Sequence, residues 1–280
     1  MIRIITDTTC IIPVDELKRQ GIFFVPQIIT FGSESFEDDY QISSSYFMEK
    51  LKTNTKLPGT AAPPPALYQP IFEKIMQAGD TALILTPSNL LSGTFRSATL
   101  AKEEFGSDKV FVFDSLTIGG GFGQLVLRAK KMADAGSTVA EISAEIGALS
   151  QREQLYFLVT TLEYLHKGGR IGNASKLIGS LLQIKPVLTL KDGVISPHEK
   201  VRTFKQAIKL IEDLNCEILA NNPDGMPSIA HAENLNEANS LAERIQSRLH
   251  IPEIPIYNAP AAIIVHAGPG LIETSCFRKA

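Results

Sequence analysis

The first half of the chain alternates short runs of β-branched and aromatic residues with longer segments of helical periodicity. The short runs are "IRIIT", "IFFVPQIITF", "TALILT" and "KVFVFD", which are typical of buried strands. The longer segments predict helices: "PVDELKRQG", "SSSYFMEKLKTN", "ALYQPIFEKIMQAG", "FRSATLAKEEFG" and "QLVLRAKKMADAG". Because strands and helices alternate, this half is predicted to be a three-layer α/β/α domain with a mainly parallel sheet.

The second half has a different pattern, in which strands follow one another closely. "QLYFLVTTL", "PVLTL" and "VISPHEK" predict strands, and Lys191-Asp192-Gly193 predicts a hairpin turn between the last two. "MPSIAHAE", "IPIYNA" and "AAIIVHAG" predict further strands around the helix "NLNEANSLAERIQSRL". The pattern predicts a two-layer α+β domain with a mixed sheet. We therefore divide the chain into an α/β domain at residues 1–152 and an α+β domain at residues 153–280.

The most patterned stretch of the chain is "YLHKGGRIGNASKLIGSLLQIKPVL". A basic glycine turn, Lys167 to Arg170, precedes apolar residues at helical spacing and predicts an amphipathic helix that stops before Pro186. The apolar positions of this helix are Ile171, Ala174, Leu177, Ile178, Leu181 and Leu182. A turn of this kind is typical of a phosphate-binding loop, but also of a plain helix start with solvated charges, and the Walker spacing is absent.

Composition excludes several classes of partner. The chain has 280 residues, 44% of them hydrophobic, with a net charge of -3 and no long run of Lys or Arg, so it lacks the electrostatic footprint of a nucleic-acid-binding protein. Met1 leads directly into a strand pattern, and no apolar run reaches the ~18 residues that a membrane span needs. We expect a cytoplasmic protein without stable membrane insertion.

Hydroxyl groups dominate the loops that follow the predicted parallel strands. These loops carry Asp7-Thr8-Thr9, Gly59-Thr60, Ser92-Gly93-Thr94 and Asp114-Ser115. In open parallel sheets, ligands bind in the crevice beyond the carboxyl ends of the strands. His266 ends a predicted strand and is followed by "AGPG", whose N–H groups could form an anion nest. Hydroxyls, one His and no complete catalytic set favour holding an anionic head group over attacking it.

Three enzyme templates fail on detail. "GGGFG" follows a strand but has Val126 where the dinucleotide loop requires a third glycine. Ser92 lacks the preceding glycine of the nucleophile elbow. The acidic residues show no spacing suited to a closed metal site, and "EDDY" is interpreted as a solvated turn. We therefore expect neither a cofactor nor a metal ion.

The chain resembles the DegV family, the bacterial fatty-acid-binding proteins that serve as substrate-binding subunits of fatty acid kinase. The resemblance covers nearly the whole chain and is carried by "IITDTT", "LPGT", "LLSGTFRSA", "VFVFDS", "TTLEYLHKGGRIGNASKLIGSLLQIKPVLTLKDG" and "HAGPG". It implies two domains with a long-chain fatty acid buried between them. It also implies a lipid-binding protein without catalytic activity of its own, which presents the fatty acid carboxylate to a separate ATP-dependent kinase subunit and carries the acyl phosphate product.

The resemblance also implies roles for particular residues. By position, Thr60 and Ser92 would hydrogen-bond the carboxylate, with His266 behind them in the network. Arg170 and Arg202 would lie at the mouth of the cavity, where they would receive the kinase or steady the acyl phosphate.

The chain departs from the family pattern at two places. Ala61-Ala62 follow Thr60 where the family commonly has Ser-Gln, and the usual second glycine after "HAGPG" is replaced around Ile272-Glu273.

The alternative function is an autonomous enzyme, either a phosphotransferase or a hydrolase that uses a serine and a histidine. The sequence does not specify the preferred acyl chain, the oligomeric state or the identity of the kinase.

Overall fold

The computed structural model describes residues 1–38, 42–54, 56–178 and 184–280. The strands are β1 (Ile2–Asp7), β2 (Phe23–Val25), β3 (Ile28–Phe31), β4 (Glu34–Glu37), β5 (Gly59–Ala61), β6 (Thr81–Thr86), β7 (Val110–Asp114), β8 (Glu153–Leu158), β9 (Lys185–Lys191), β10 (Val194–Val201), β11 (Ser228–His231), β12 (Ile256–Asn258) and β13 (Ile272–Phe277).

The α-helices are α1 (Val14–Arg19), α2 (Ser44–Thr53), α3 (Gln69–Gln77), α4 (Thr94–Phe105), α5 (Gly119–Asp134), α6 (Val139–Ser150), α7 (Glu163–Lys167), α8 (Phe204–Asn221), α9 (Leu235–Leu249) and α10 (Ala261–Ala267). Short 3-10 helices lie at Thr8–Cys10, Pro65–Leu67 and Gly172–Leu177. Within the described ranges, no helix is long and apolar enough to cross a membrane.

The first half forms the predicted parallel sheet. Its strand order is β2-β1-β6-β7, and every pair is parallel. Alternate residues of β1 face opposite layers, since Ile4 packs against α5 and α6 whereas Ile5 packs against α3 and α4. The three-layer prediction is therefore confirmed. The carboxyl ends of β1, β6 and β7 place their hydroxyl-rich loops at one edge of the sheet.

A small antiparallel sheet, β4-β3-β5, was not predicted. The run "IFFVPQIITF" is two strands in different sheets, because Pro26 has no N–H and cannot continue a ladder. The predicted loop around Thr60 contains β5, in which Thr60 pairs with Ile29. The expectation that Thr60 lies on a loop after a parallel strand is therefore wrong.

The second half forms the predicted mixed sheet, in the order β10-β9-β8-β13-β11-β12. β11 and β12 pair in parallel, and the other neighbours are antiparallel. The hairpin is confirmed: Asp192 and Gly193 connect β9 to β10, with φ values of 51° and 76°, as a tight turn with two positive φ angles requires. Sequence patterning missed β13, which lies at the centre of this sheet. The domain boundary between residues 152 and 153 remains a prediction.

The segment "AAIIVHAG" is a helix rather than the predicted strand. α10 starts after Pro260, and the Asp38 carboxylate accepts hydrogen bonds from the N–H groups of Ala261 and Ala262, each at 3.1 Å. A short, wholly buried apolar run has no periodicity that distinguishes strand from helix. Asp38 is itself buried, so its assignment to a solvated turn is also wrong. Asp39, in the same "EDDY" turn, lies outside the described residues.

The glycine turn ends α7 instead of opening a long α-helix. Gly168 is the C-terminal cap of α7 and Gly169 has a φ of 71°, a left-handed conformation that glycine adopts without strain. The segment after the turn is a 3-10 helix at Gly172–Leu177. Leu181 and Leu182 of the predicted helix lie outside the described residues.

Candidate functional site

An apolar cavity lies between the two halves of the chain. Its empty volume is about 560 Å³, counting the part that opens to solvent. The three polar residues in its wall are Arg170, His266 and Glu273. The apolar ones come from the C-terminal sheet and the residue before β13, from α7 and α10, and from loops of the first half: Leu91, Ile118, Leu155, Phe157, Leu165, Leu190, Ile195, Ala262, Ile263, Ala267 and Leu271.

His266 and Thr60 form a hydrogen-bonded pair at the cavity wall. The Nε2 atom of His266, on α10, lies 2.8 Å from the hydroxyl of Thr60 on β5. Burial, and then the positive charge of Arg170, lower the pKa of His266 to about 4, so the imidazole is neutral at pH 7. If Nε2 carries the proton and donates it to Thr60, the Thr60 hydroxyl keeps its own proton for an anion in the cavity.

Gly168 makes room for this imidazole. A Cβ at Gly168 would lie 2.2 Å from His266 Nδ1, so no side chain fits there without moving the ring. Nδ1 is buried and has no hydrogen-bond partner among the described residues. The basic glycine turn, Lys167 to Arg170, therefore also has a packing role, because Gly168 leaves the space that the His266 ring occupies.

Ser92 is held by a buried network that starts at Asp7. The Ser92 hydroxyl lies 2.9 Å from the Thr94 hydroxyl, which donates a hydrogen bond of 2.8 Å to Asp7. Asp7 also accepts from the side chain of Gln27 at 2.6 Å and from the backbone N–H of Thr9 at 2.9 Å. Burial raises the pKa of Asp7, and the hydrogen bonds act in the opposite direction. The network fixes the loop that carries Ser92 at the start of α4.

The loops that carry Thr60 and Ser92 lie side by side. A Cβ placed on Gly93 would be 3.4 Å from the Cβ of Ala62, which is van der Waals contact. The hydroxyl of Ser97, on α4, donates a hydrogen bond to the carbonyl of Pro63. Leu91, which precedes Ser92, and His266 both line the cavity. The structure thus brings the loops of the two predicted hydroxyls side by side next to the cavity, whose wall includes neither Thr60 nor Ser92 itself.

Arg170 stands where the cavity meets the surface. Its guanidinium donates hydrogen bonds to the carbonyl oxygens of Leu91 at 3.0 Å and Gly168 at 2.8 Å. Arg170 and Leu91 line the apolar cavity and also an open depression beside Ser92. The other residues of this depression are Asn89, Leu90, Ser92, Gly93, Phe95, Arg96 and Gly169. Arg170 is therefore at the opening of the cavity. We call this opening, which Arg170 and the nearby Arg96 line, the positively charged end of the site.

Arg202 is not one of the residues that line the cavity. Its side chain is exposed, and its backbone N–H donates to the side chain of Gln206 at the start of α8. Ile195, which lines the cavity, lies seven residues earlier in the chain, near the start of β10, so Arg202 is up to about 23 Å from it at ~3.3 Å per residue. The structure thus gives Arg202 no place in the cavity wall, and its role remains a prediction.

A polar patch, which the sequence did not reveal, adjoins the cavity. It consists of Glu153, Ser228, Glu273 and Ser275 on the C-terminal sheet, beneath the glycines that start α5. The N–H of Gly120 donates to Glu273 at 2.7 Å, and Ser275 donates to Glu153 at 2.9 Å. Burial, which the hydrogen bond from Gly120 opposes and the nearby charge of Glu153 reinforces, raises the pKa of Glu273 from 4.5 to about 7.

Glu273→Gln should remove a pH-dependent loss of stability. Because the native state of the parent holds the Glu273 proton up to about pH 7 while the unfolded chain loses it near pH 4.5, its stability falls as pH rises between those values. We expect the variant to gain about 3 kcal/mol relative to the parent between pH 4 and pH 8. Urea unfolding at both pH values measures this change. Exposed Glu104→Gln is the control, and identical pH profiles for Glu273→Gln and parent would contradict the assignment.

The family model described as "Uncharacterised protein, DegV family" matches residues 1–279. This chain belongs to the DegV family. A DegV domain-containing protein of Halalkalibacterium halodurans is 32% identical over 277 residues, which are 99% of this chain and 98% of that protein.

Solved DegV structures match over the full length. A fatty-acid-binding DegV family protein from Thermus thermophilus superposes with a TM-score of 0.91 and 29% identity, covering 99% of each chain. The fatty acid kinase (Fak) B3 protein of Streptococcus pneumoniae, solved with linoleic acid, superposes with a TM-score of 0.85 and 25% identity, covering 100% of each chain. Fatty acid binding is thus described for DegV proteins that share this fold.

Proposed function

We propose that this chain binds a long-chain fatty acid between its two domains and presents the carboxylate to a separate ATP-dependent fatty acid kinase, carrying the acyl phosphate product. The observation that carries the proposal is an apolar cavity with the Thr60–His266 pair and Arg170 in or beside its wall. The fatty acids bound by its structural neighbours in the DegV family support it.

The hydrocarbon tail supplies most of the binding free energy. Burying one methylene contributes ~0.8 kcal/mol, so a chain of about 14 methylenes gains on the order of 11 kcal/mol before the costs of ordering. Head-group contacts then determine orientation. Hydroxyl donors from Thr60 and Ser92 hold a carboxylate without covering it as a bidentate arginine would, and leave an oxygen available to a kinase.

The contacts do not favour a serine hydrolase. A nucleophilic serine needs a histidine within hydrogen-bond reach to take its proton. Here Nε2 of His266 contacts Thr60, and the hydroxyl of Ser92 contacts Thr94. The two residues therefore belong to different hydrogen-bond networks.

The first test is native mass spectrometry of the purified protein followed by an assay for acyl phosphate. We expect a co-purified fatty acid, and no acyl phosphate when the protein is incubated with ATP, magnesium and fatty acid alone. Adding the catalytic subunit of a fatty acid kinase should start turnover. Turnover by the chain alone would overturn the carrier proposal in favour of an autonomous enzyme.

Arg202→Ala should leave fatty acid affinity within about twofold of the parent and lower acyl phosphate formation with a partner kinase. Its exposed position away from the cavity wall is the reason to expect intact binding. Lys200→Ala, at another exposed cation near the end of β10, is the matched control. A displacement assay gives affinity and a coupled assay gives the rate. An equal fall in both quantities would place Arg202 in the binding site and contradict a docking role.

A further inference from the structure

The C-terminal sheet forms the floor of the cavity. The side chains of this floor change from apolar to polar between two neighbouring strands. Antiparallel register aligns one row of side chains across the sheet, and residues that are opposite each other share a face. From β10 to β11, this row is Ile195, Leu190, Leu155, Ser275 and Ser228. The first three line the cavity, and the last two belong to the polar patch. Along this row, the apolar part of the floor therefore ends between β8 and β13.

Glu273 lies on this border. It is opposite Phe157 on β8, which also lines the cavity. Along β13, it lies two residues before Ser275 and therefore on the same face of the sheet. Its carboxyl is held in place by the Gly120 N–H at 2.7 Å, and only 5% of the residue is exposed. A carboxyl group in this position is a polar part of a cavity wall that is otherwise apolar apart from Arg170 and His266.

The positively charged end of the site is on the other side of the floor. A Cβ at Gly172 would lie 2.5 Å from the carbonyl oxygen of Ile195, so the chain just after Arg170 packs on β10. β10 and β13 are separated by β9 and β8, hence by roughly 14 Å at ~4.8 Å per strand. An acyl chain whose carboxylate is near Arg170 and His266 would therefore run across the floor towards Glu273.

We propose that Glu273 closes the distal end of the acyl cavity and limits the length of the fatty acid that the protein accepts. This inference rests on the proposed function and adds the residue that determines chain-length specificity. A methylene that reached the carboxyl would meet a polar group in place of the hydrocarbon wall and would compete with the hydrogen bond from Gly120. The methyl end of the best ligand would thus stop before Glu273.

Part of the space that the Glu273 side chain occupies would become available to a ligand if a shorter side chain replaced it. The glycines of α5 offer no side chains to fill it: a Cβ at Gly119 would lie 2.2 Å from Glu273 Oε1. Glu273→Ala should therefore lengthen the cavity towards α5. Each additional methylene buried there should raise affinity about fourfold, so a fatty acid two carbons longer than the parent's optimum should bind the variant roughly 15-fold more tightly than it binds the parent.

The test is a displacement assay with saturated fatty acids of increasing length, on the full chain after removal of bound lipid. We expect Glu273→Ala to move the optimum to longer chains, and Glu273→Gln, which keeps the volume, to retain the parent's optimum. Glu273→Ser is a second truncation in case the alanine variant does not fold. Glu153→Gln, in the same polar patch but outside the cavity wall, controls for general effects of losing a buried carboxyl.

Three results would have distinct meanings. An unchanged optimum in folded Glu273→Ala or Glu273→Ser would overturn the proposal and leave Glu273 as a structural partner of α5. An equal shift in Glu273→Gln would also overturn it, because volume would then not be the cause. Failure of the parent to bind any fatty acid would instead refute the proposed function.

Discussion

Replacing both Thr60 and Ser92 with alanine should weaken fatty acid binding about 100-fold or more, yet leave measurable binding. Each hydroxyl that donates to a carboxylate contributes ~1.5–3 kcal/mol, whereas the tail contributes several times as much. Phosphorylation by a partner kinase should fall more steeply than affinity, because the carboxylate would no longer be held in one pose. His266→Ala should act in the same direction, since the imidazole orients the hydroxyl of Thr60 at 2.8 Å.

This double variant is best measured by calorimetry for affinity and by a reconstituted kinase assay for rate, after its fold has been checked by circular dichroism. Thr99→Ala is a matched control, because the Thr99 hydroxyl donates to the backbone of Phe95 within α4 and takes no part in the hydrogen bonds that Thr60 and Ser92 make. If the double variant binds and is phosphorylated like the parent, these hydroxyls do not hold the head group. A loss seen equally in the control would indicate a change in α4 rather than in the site.

Asp7→Ala should lower the free energy of unfolding by about 3–5 kcal/mol, the largest effect on stability that we expect from one substitution near the site. Asp7 is fully buried and accepts hydrogen bonds from Thr9, Gln27 and Thr94. Without the carboxyl, those donors would remain buried without an acceptor, and each unsatisfied donor costs ~1–3 kcal/mol.

Chemical denaturation measures this loss, with Asp108→Ala at an exposed position as the control. Fatty acid affinity should fall as well, because Thr94 links Asp7 to the hydroxyl of Ser92. A destabilisation below about 1 kcal/mol would show that the donors find other partners, and the network would then not be what fixes the Ser92 loop.

The regular parts of the fold were predictable because their patterns are local. Alternation of strand and helix predicted the parallel sheet, and Asp192-Gly193 predicted the hairpin between β9 and β10. α10 was not predictable in this way. Its apolar residues are buried on all sides, and its start depends on the carboxylate of Asp38, which is 223 residues away from Ala261 in the chain. Only tertiary structure determines that this segment is helical.

The candidate site, too, could be predicted from the sequence only in part. Resemblance to a family drew attention to Thr60, Ser92 and His266, but patterning placed Thr60 on a loop and His266 on a strand, neither of which is correct. Nothing in the sequence indicated Glu273 as part of a cavity wall. "IETSCF" has a mixed composition that resembles a surface segment, whereas its carboxyl bonds to Gly120, 153 residues away. Distant contacts of this kind leave no local periodicity.

The glycines at the start of α5 and the carboxyls of the polar patch occupy complementary volumes. A Cβ at Gly121 would lie 1.4 Å from an oxygen of Glu153, just as one at Gly119 would overlap Glu273. A larger residue at Gly121 therefore requires Glu153 to move or to become smaller, whereas Gly119 has in addition a φ of 71°, which favours glycine whatever faces it. Substitutions across this interface are thus coupled, and we expect positions 121 and 153 to be epistatic.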